Sequence, residues 1–301
     1  MSVGKEQFET VGDGLLVRAP AKINLSLLIA GRRPDGFHEI ETIMAKVNFF
    51  DDLLIEEGRK AGIEVVSKGP YRAPQGKANL VYRACEMLLD SYCARANIKI
   101  TLTKNIPAGS GLGSASSDAA AVLLGLNRHL QLKADSRRLS EMAAALGSDV
   151  SFFLGGPLAF CTGKGEKIKK LDKKFNFSAL LLLPNVNVST KKVYANYKHD
   201  SALYNKLNTQ IKALLEKNRI DLVSEMCANM LQTTCLGLYR ELYVLKAQVE
   251  TSGIRPLCLS GSGSAMFSIF SKSDEKKICN YQYKLEEEAG CKSIIVSNNR
   301  W

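Results

Sequence analysis

The chain has 301 residues, of which 46% are apolar and 24% charged, and its net charge is +11. That length accommodates one large or two ordinary domains. It holds no run of eighteen apolar residues, and MSVGKEQFETVGDG has no apolar signal core, so neither a membrane span nor a secretory leader is expected and the expected location is the cytoplasm. Eight scattered cysteines without a C-x-x-C pair suit buried free thiols better than disulfides or zinc. Positive charge is densest over residues 164–174, where Glu166 and Asp172 interrupt it. Such a cluster is either a solvated face or an attractor of polyanions. No basic stripe with interleaved aromatics accompanies it, so no nucleic-acid partner is expected.

Residues 15–31 read as strand, with Ile23, Leu25, Leu27 and Ile29 on one face and Lys22, Asn24 and Ser26 on the other. On pattern alone, that polar side is the solvent-facing side of a sheet. The turn Arg33-Pro34-Asp35-Gly36 raises a second reading, because it carries Phe37 and His38 back alongside to form a pocket. A lone histidine is more often a structural hydrogen-bonder than a ligand reader. Residues 37–57 and 62–68 supply further strand. Asn79 N-caps a helix lined by Leu80, Val81, Ala84, Met87 and Leu88.

A short alternating strand, residues 98–103, then runs into Pro107-Ala108-Gly109-Ser110-Gly111-Leu112-Gly113-Ser114-Ala115-Ser116-Ser117. A helix to about Leu130 follows, with Val122, Leu123, Leu126 and Leu130 on its buried side. A strand, a glycine-rich loop and a helix start together make a phosphate cradle. A flexible serine-capped loop is the bland alternative, and the flanking strand and apolar helix disfavour it. The loop is not G-x-x-x-x-G-K-[ST], no suitably placed acid follows a G-x-G-x-x-G, and the H-R-D and D-F-G elements of protein kinases are missing.

Leu139, Met142, Ala143 and Leu146 mark another helix, which Gly147 stops. Asp149 follows at a junction, as a turn or cap residue or as a carboxylate presented into a cleft. Residues 158–161 read as strand. The chain restarts with a strand at 179–183, a helix opened by Ser189 or Thr190 and containing Tyr194, and two or three helices over 204–216 and 222–250. A hairpin (257–260 and 265–270) encloses a second glycine loop, Gly261-Ser262-Gly263-Ser264. A helix at 274–289 and a strand at 293–296 close the chain.

Pro20-Ala21-Lys22-Ile23-Asn24-Leu25, Asp35-Gly36-Phe37-His38, the 107–117 loop, Gly147-Ser148-Asp149-Val150 and Leu259-Ser260-Gly261-Ser262-Gly263 occur in that order along nearly the whole chain. The loop resembles that of the galactokinase, homoserine kinase, mevalonate kinase and phosphomevalonate kinase (GHMP) superfamily. P-A-K-[IL]-N with D-G-[YF]-H resembles its cytidine-reading branch, the 4-diphosphocytidyl-2-C-methyl-D-erythritol kinases.

The resemblance implies an α/β (α+β) two-domain GHMP-kinase-like fold. Residues 1–172 would form the ATP-binding, ribosomal-protein-S5-domain-2-like part, and residues 173–301 a ferredoxin-like α/β part. It implies ATP-dependent phosphorylation of the 2-hydroxyl of the methylerythritol unit, a step toward isoprenoid precursors, with Mg2+ carried on the phosphates. By motif match, Lys22 and Asp149 become catalytic candidates, with Asp149 the base. Residues 107–117 and, at the adenine border, Asn79 become the ATP contacts. Asn24, Phe37, His38, Tyr194, Gly261 and Ser262 become the contacts to the cytidine diphosphate methylerythritol substrate. A monomer or weak homodimer is expected. Three departures stand out: Phe37 replaces a usual tyrosine, Ser151 a proline, and Ser114-Ala115 usual glycines. Another acceptor within the superfamily, a basic nucleic-acid binder on this fold without catalysis, and a nucleotide-binding partner protein are the alternatives.

Overall fold

The computed structural model describes residues 6–172, 175–271 and 274–301. The end of the basic cluster, Lys173 and Lys174, lies outside them, at the expected domain junction. Two long antiparallel strands organise the molecule, β2 (Gly14–Arg32) and β3 (His38–Glu57), paired from Leu15–Ile55 at one end to Arg32–His38 at the other. On its far edge β3 pairs first with β6 (Leu158–Gly163) and then with β5 (Ile98–Thr103), which runs parallel to β4 (Ile63–Lys68). Residues 46–51 of β3 lie between those two partners, and the 104–113 loop leaves β5 beside them. The short strand β1 (Phe8–Val11) flanks β2, and β7 (Lys167–Lys170) flanks β6. The sequence reading did not place either, because both are four residues long and largely exposed.

Helices α1 (Leu80–Ser91), α2 (Ser114–His129), α3 (Ser136–Leu146) and α4 (Val150–Leu154) cover the half of this sheet that starts at Leu15. Their core includes Leu15, Val17, Leu53, Ile100, Leu102, Val122 and Phe152. Asn79 caps α1, accepting from the Val81 N–H at 2.9 Å. Gly147 ends α3 in extended backbone.

From Ala21 onward the apolar residues of β2 join a second core, with an antiparallel sheet ordered β11–β8–β10–β9. Its strands are β8 (Ser178–Leu182), β9 (Cys258–Leu259), β10 (Met266–Phe270) and β11 (Ser293–Ser297). Around it pack α5 (Thr190–Asn196), α6 (Ser201–Glu216), α7 (Ile220–Glu225), α8 (Gln232–Leu238), α9 (Arg240–Thr251) and α10 (Glu275–Ala289). A parallel bridge from Leu27 to Asn229 and an antiparallel one from Val47 to Asn298 tie this half to the long strands.

Two expectations change. Lys22 and Asn24 are buried, at 3% and 4% exposure, and do not face solvent. The loop after β5 and the start of α4 enclose Lys22, and Ser260 and Gly261 of the second half cover Asn24; strand alternation cannot reveal covers that arrive from such distant segments. Cys227 and Cys258 form a disulfide with Cα atoms 5.1 Å apart. Asn229 and Gln232, which bond the backbone of Leu259 and Gly261, bring the two segments together. Six free cysteines remain, of which Cys93 and Cys279 are exposed.

Candidate active site

The crevice is built around the 105–113 loop. Gly109, Gly111 and Gly113 have φ of 67°, 79° and 72°, the left-handed region that glycine enters without penalty. A Cβ on Gly111 would stand 2.0 Å from the Ser260 carbonyl oxygen, and one on Gly113 2.8 Å from the Phe153 ring. The loop is therefore pressed between β2, α4 and the second glycine loop.

Three consecutive carbonyls fix its orientation. Ser110 O accepts from Ala265 N (2.9 Å), Gly111 O from Ser260 Oγ (3.0 Å) and Leu112 O from Lys22 N (2.9 Å). In a trans peptide the next N–H points opposite to the carbonyl. The N–H groups of Gly111, Leu112 and Gly113 thus turn away from these walls, and among the described residues none has a protein acceptor. The first turn of α2 adds its own N–H groups, for Gly113 at the N-cap has no side chain to take them. This is an anion nest at a helix N-terminus.

The serines divide. Ser110 Oγ closes onto Pro107 O (2.7 Å), and Ser114 Oγ donates to Asp51 Oδ2 (2.9 Å). The Ser117 hydroxyl is buried with no hydrogen-bond partner among the described residues, Ser116 is half-buried, and Ala115 and Ala108 are exposed.

Lys22 Nζ reaches the loop's edge 3.8 Å from Asp149 Oδ2 and 2.5 Å from Asn24 Oδ1. Asn24 Nδ2 donates to Thr42 Oγ1 (2.8 Å), which donates to Ser26 O (2.6 Å), so the amide is held at both ends. Asp149 occupies the N-cap position of α4 but its side chain makes no capping bond. It stays one-third exposed, whereas the Lys22 side chain is 4% exposed. Burial pulls the Lys22 amine below its ordinary value, and the neighbouring Asp149 carboxylate opposes that pull. Burial, then Asp149, pushes the Cys161 thiol up to about 12 and raises Tyr194.

A ring cluster stands at the outer end. His38 packs against Tyr194 (centroids 5.2 Å) and edge-on to Tyr197 (5.9 Å). Burial lowers the His38 pKa, and Arg32 and His199 lower it further. Phe37 is 58% exposed, with the Lys164 ammonium 4.8 Å above its ring. Ser262 Oγ bonds Thr190 Oγ1 at 2.8 Å, and Asn229 Nδ2 holds the carbonyls of Leu259 and Gly261, both at 2.8 Å.

The structure thus brings Lys22, Asn24, Asp149, the loop, Gly261 and Ser262 together, with His38 and Tyr194 as one cluster. Asn79 lies at the start of α1 with both ends of its amide engaged, the second by Pro74 O at 3.0 Å. The sequence reading missed Thr42, Tyr197 and Asn229. Tyr197 carries a signal, its i, i+3 spacing from Tyr194; the other two carry none. Among the described residues no group of three His, Cys, Asp or Glu side chains could hold a metal, and no helix is long and apolar enough to cross a membrane.

Comparison with known proteins gives the family. Residues 79–157 match the model of the GHMP kinases N terminal domain, and residues 211–281 that of the GHMP kinases C terminal domain. The chain is 35% identical over 261 residues to a protein of Syntrophomonas wolfei, covering 87% of this chain and 91% of that one. It is 36% identical to one of Bacillus subtilis, covering 85% and 88%. Both are named 4-diphosphocytidyl-2-C-methyl-D-erythritol kinase. A crystal structure of 4-(cytidine 5'-diphospho)-2C-methyl-D-erythritol kinase superposes with a TM-score of 0.75 at 30% identity, over 94% of this chain and 99% of that one. Homoserine kinase from Cytophaga hutchinsonii, at 21% identity and a TM-score of 0.74, shares the fold.

Proposed function

The chain belongs to the 4-diphosphocytidyl-2-C-methyl-D-erythritol kinase family of GHMP kinases, and from that premise we propose how its crevice transfers phosphate. The chain is an ATP-dependent phosphotransferase. Its reaction moves the γ-phosphoryl group of ATP to the 2-hydroxyl of 4-diphosphocytidyl-2-C-methyl-D-erythritol. The observation that carries the reading is the outward-turned amide nest at Gly111–Gly113 beside the Lys22–Asp149 pair.

Phosphoryl transfer asks mainly for positioning and charge stabilisation. In our reading residues 107–117 line the ATP crevice, the backbone N–H groups of residues 110–114 hold the β- and γ-phosphates, and the helix start capped by Asn79 borders the adenine. Asp149 accepts the proton of the attacking hydroxyl. Lys22, fixed by Asn24, faces the transferring group and offsets its developing charge. His38 reads the edge of cytosine, Phe37 and Tyr194 offer stacking faces, and Asn24, Gly261 and Ser262 orient the polyol. Magnesium suits a site without a dedicated carboxylate cage, since it binds chiefly through nucleotide phosphates and water; when bound it neutralises phosphate charge, and no residue of the chain is assigned to it. Residues 1–172 serve ATP and residues 173–301 form the second GHMP domain. The protein acts as a monomer or weak homodimer in the cytoplasm, where ATP is supplied, on a small molecule and not on nucleic acid.

The acceptor carbon bears a methyl group, so its hydroxyl stands on a carbon without hydrogen. Phosphorus NMR of the product should therefore show a new monoester signal uncoupled to any carbinol proton. A monoester split by such a proton would move the transfer to another hydroxyl and contradict the reading.

A further inference from the structure

Beneath the glycine loop lies a buried ionic cluster that the chemistry above does not use. Lys104, the residue after β5, extends its ammonium to Asp51 Oδ2 (2.5 Å), Asp118 Oδ2 (2.6 Å) and Ser114 Oγ. The Lys104, Asp51 and Asp118 side chains are 2%, 0% and 4% exposed. Three ionisable groups this deep cost free energy unless each is matched, and as a stability device an apolar trio often does as well. Their placement answers why they are there.

Asp51 touches both ends of the loop with one carboxylate. Its Oδ1 accepts from Asn105 N (2.6 Å) and Ile106 N (2.8 Å), at the loop's entry. Its Oδ2 accepts from Ser114 Oγ (2.9 Å), at the loop's exit and the first residue of α2. Lys104 braces the exit again through Ser114 and reaches Asp118 on the next turn of the same helix. The residues between these anchors, 107–113, include the three outward-turned amides. Asp51 itself lies in the 46–51 stretch of β3 that neither β5 nor β6 pairs, so its side chain joins the loop to the sheet where no ladder does.

We propose that Asp51, with Lys104 and Asp118, is a positioning cluster that closes the two ends of the phosphate loop on each other and so holds its amides in the ATP-binding arrangement before ATP arrives. Ordering a loop in advance removes that entropic cost from binding. Burial pushes the Asp118 carboxyl up to about 8, and the Lys104 ammonium beside it pulls the other way.

The inference rests on the ATP role of the loop, and the test separates the two. Titration calorimetry on the full chain measures MgADP and the cytidine diphosphate methylerythritol separately, in wild type, Asp51→Asn and Ser114→Ala. Wild type binding neither ligand would refute the ATP reading itself. With wild type binding both, Asp51→Asn should weaken MgADP about tenfold or more and change the acceptor's affinity less than about twofold, about 1.4 kcal/mol against 0.4. Ser114→Ala removes one strut, leaves the ion pairs, and should weaken MgADP about threefold with the acceptor unchanged; it carries the test if Asp51→Asn does not fold. Equal losses for both ligands, or unchanged MgADP affinity in a folded variant, would overturn the positioning role.

Discussion

The Lys22 ammonium stands 3.8 Å from the Asp149 carboxylate, the first nearly enclosed and the second open to the crevice. The pairing is asymmetric. Lys22 is locked by Asn24 and a backbone bond to Leu112, whereas Asp149 heads a helix without capping it. A fixed cation beside an accessible carboxylate is the arrangement a transferring phosphoryl group and an attacking alcohol require.

Asp149→Asn keeps the side-chain shape and removes proton acceptance. It should lower kcat by roughly 10²–10⁴-fold, the usual worth of a positioned base. Single-turnover measurement at saturating ATP and acceptor checks this, and near-normal turnover would remove Asp149 from the chemistry.

His38→Ala should act on one ligand only. The ring stands in a cluster with Tyr194 and Tyr197, on elements separate from the glycine loop. We expect the KM for the cytidine substrate to rise roughly tenfold, about 1.4 kcal/mol, with the KM for ATP steady. Equal rises would make His38 a structural residue.

Gly111→Ala tests the fit of the two loops. Its Cβ would meet the Ser260 carbonyl at 2.0 Å, at a φ of 79°. The backbone strain alone is about 1–3 kcal/mol. Thermal unfolding should shift down, and MgADP binding should be lost before the fold is. An alanine variant with wild-type Tm and affinity would contradict the described packing.

Lys46 offers a pH signature. Its ammonium donates to Phe153 O (3.0 Å) and Gly155 O (2.8 Å), with no carboxylate partner among the described residues, and burial lowers its pKa to about 7. Between pH 7 and the ordinary lysine value near 10.5 the unfolded chain binds this proton and the folded chain does not. Stability therefore gains from Lys46 as pH rises through that window, and the gain is lost as pH falls toward 7. Asp118, raised to about 8, contributes the opposite slope between about pH 4 and 8. Comparing denaturant unfolding of wild type and Lys46→Met across pH 7–10 isolates the first effect: the gap between them should narrow or invert in favour of wild type as pH climbs. A constant gap would show that Lys46 does not titrate there.

Much of this was written in local patterns. Ile98, Ile100 and Leu102 alternate and lie buried on one face of β5, and Asn79 and Ser189 cap the helices their positions announce. The glycine loop and the Lys22, Asn24 and Asp149 motifs are legible because each is contiguous, and the fold brings them side by side. What stayed hidden depends on contacts between distant segments. The burial of Lys22 comes from the first glycine loop and α4, and that of Asn24 from the second glycine loop through Ser260. Thr42 and Asn229 act by holding other residues, and a threonine in a strand or an asparagine in a turn gives no sign of what it holds. The Cys227–Cys258 pair is equally silent, because its closeness goes with the bonds of Asn229 and Gln232 to the backbone of Leu259 and Gly261.

The most direct test of the account is coupled ADP release from ATP with purified full-length chain and three acceptors in turn: 4-diphosphocytidyl-2-C-methyl-D-erythritol, mevalonate and homoserine. Rapid release is expected with the cytidine substrate, background release with the other two, and loss of the signal in Asp149→Asn. Faster release with mevalonate or homoserine, or none with any of the three, would contradict it.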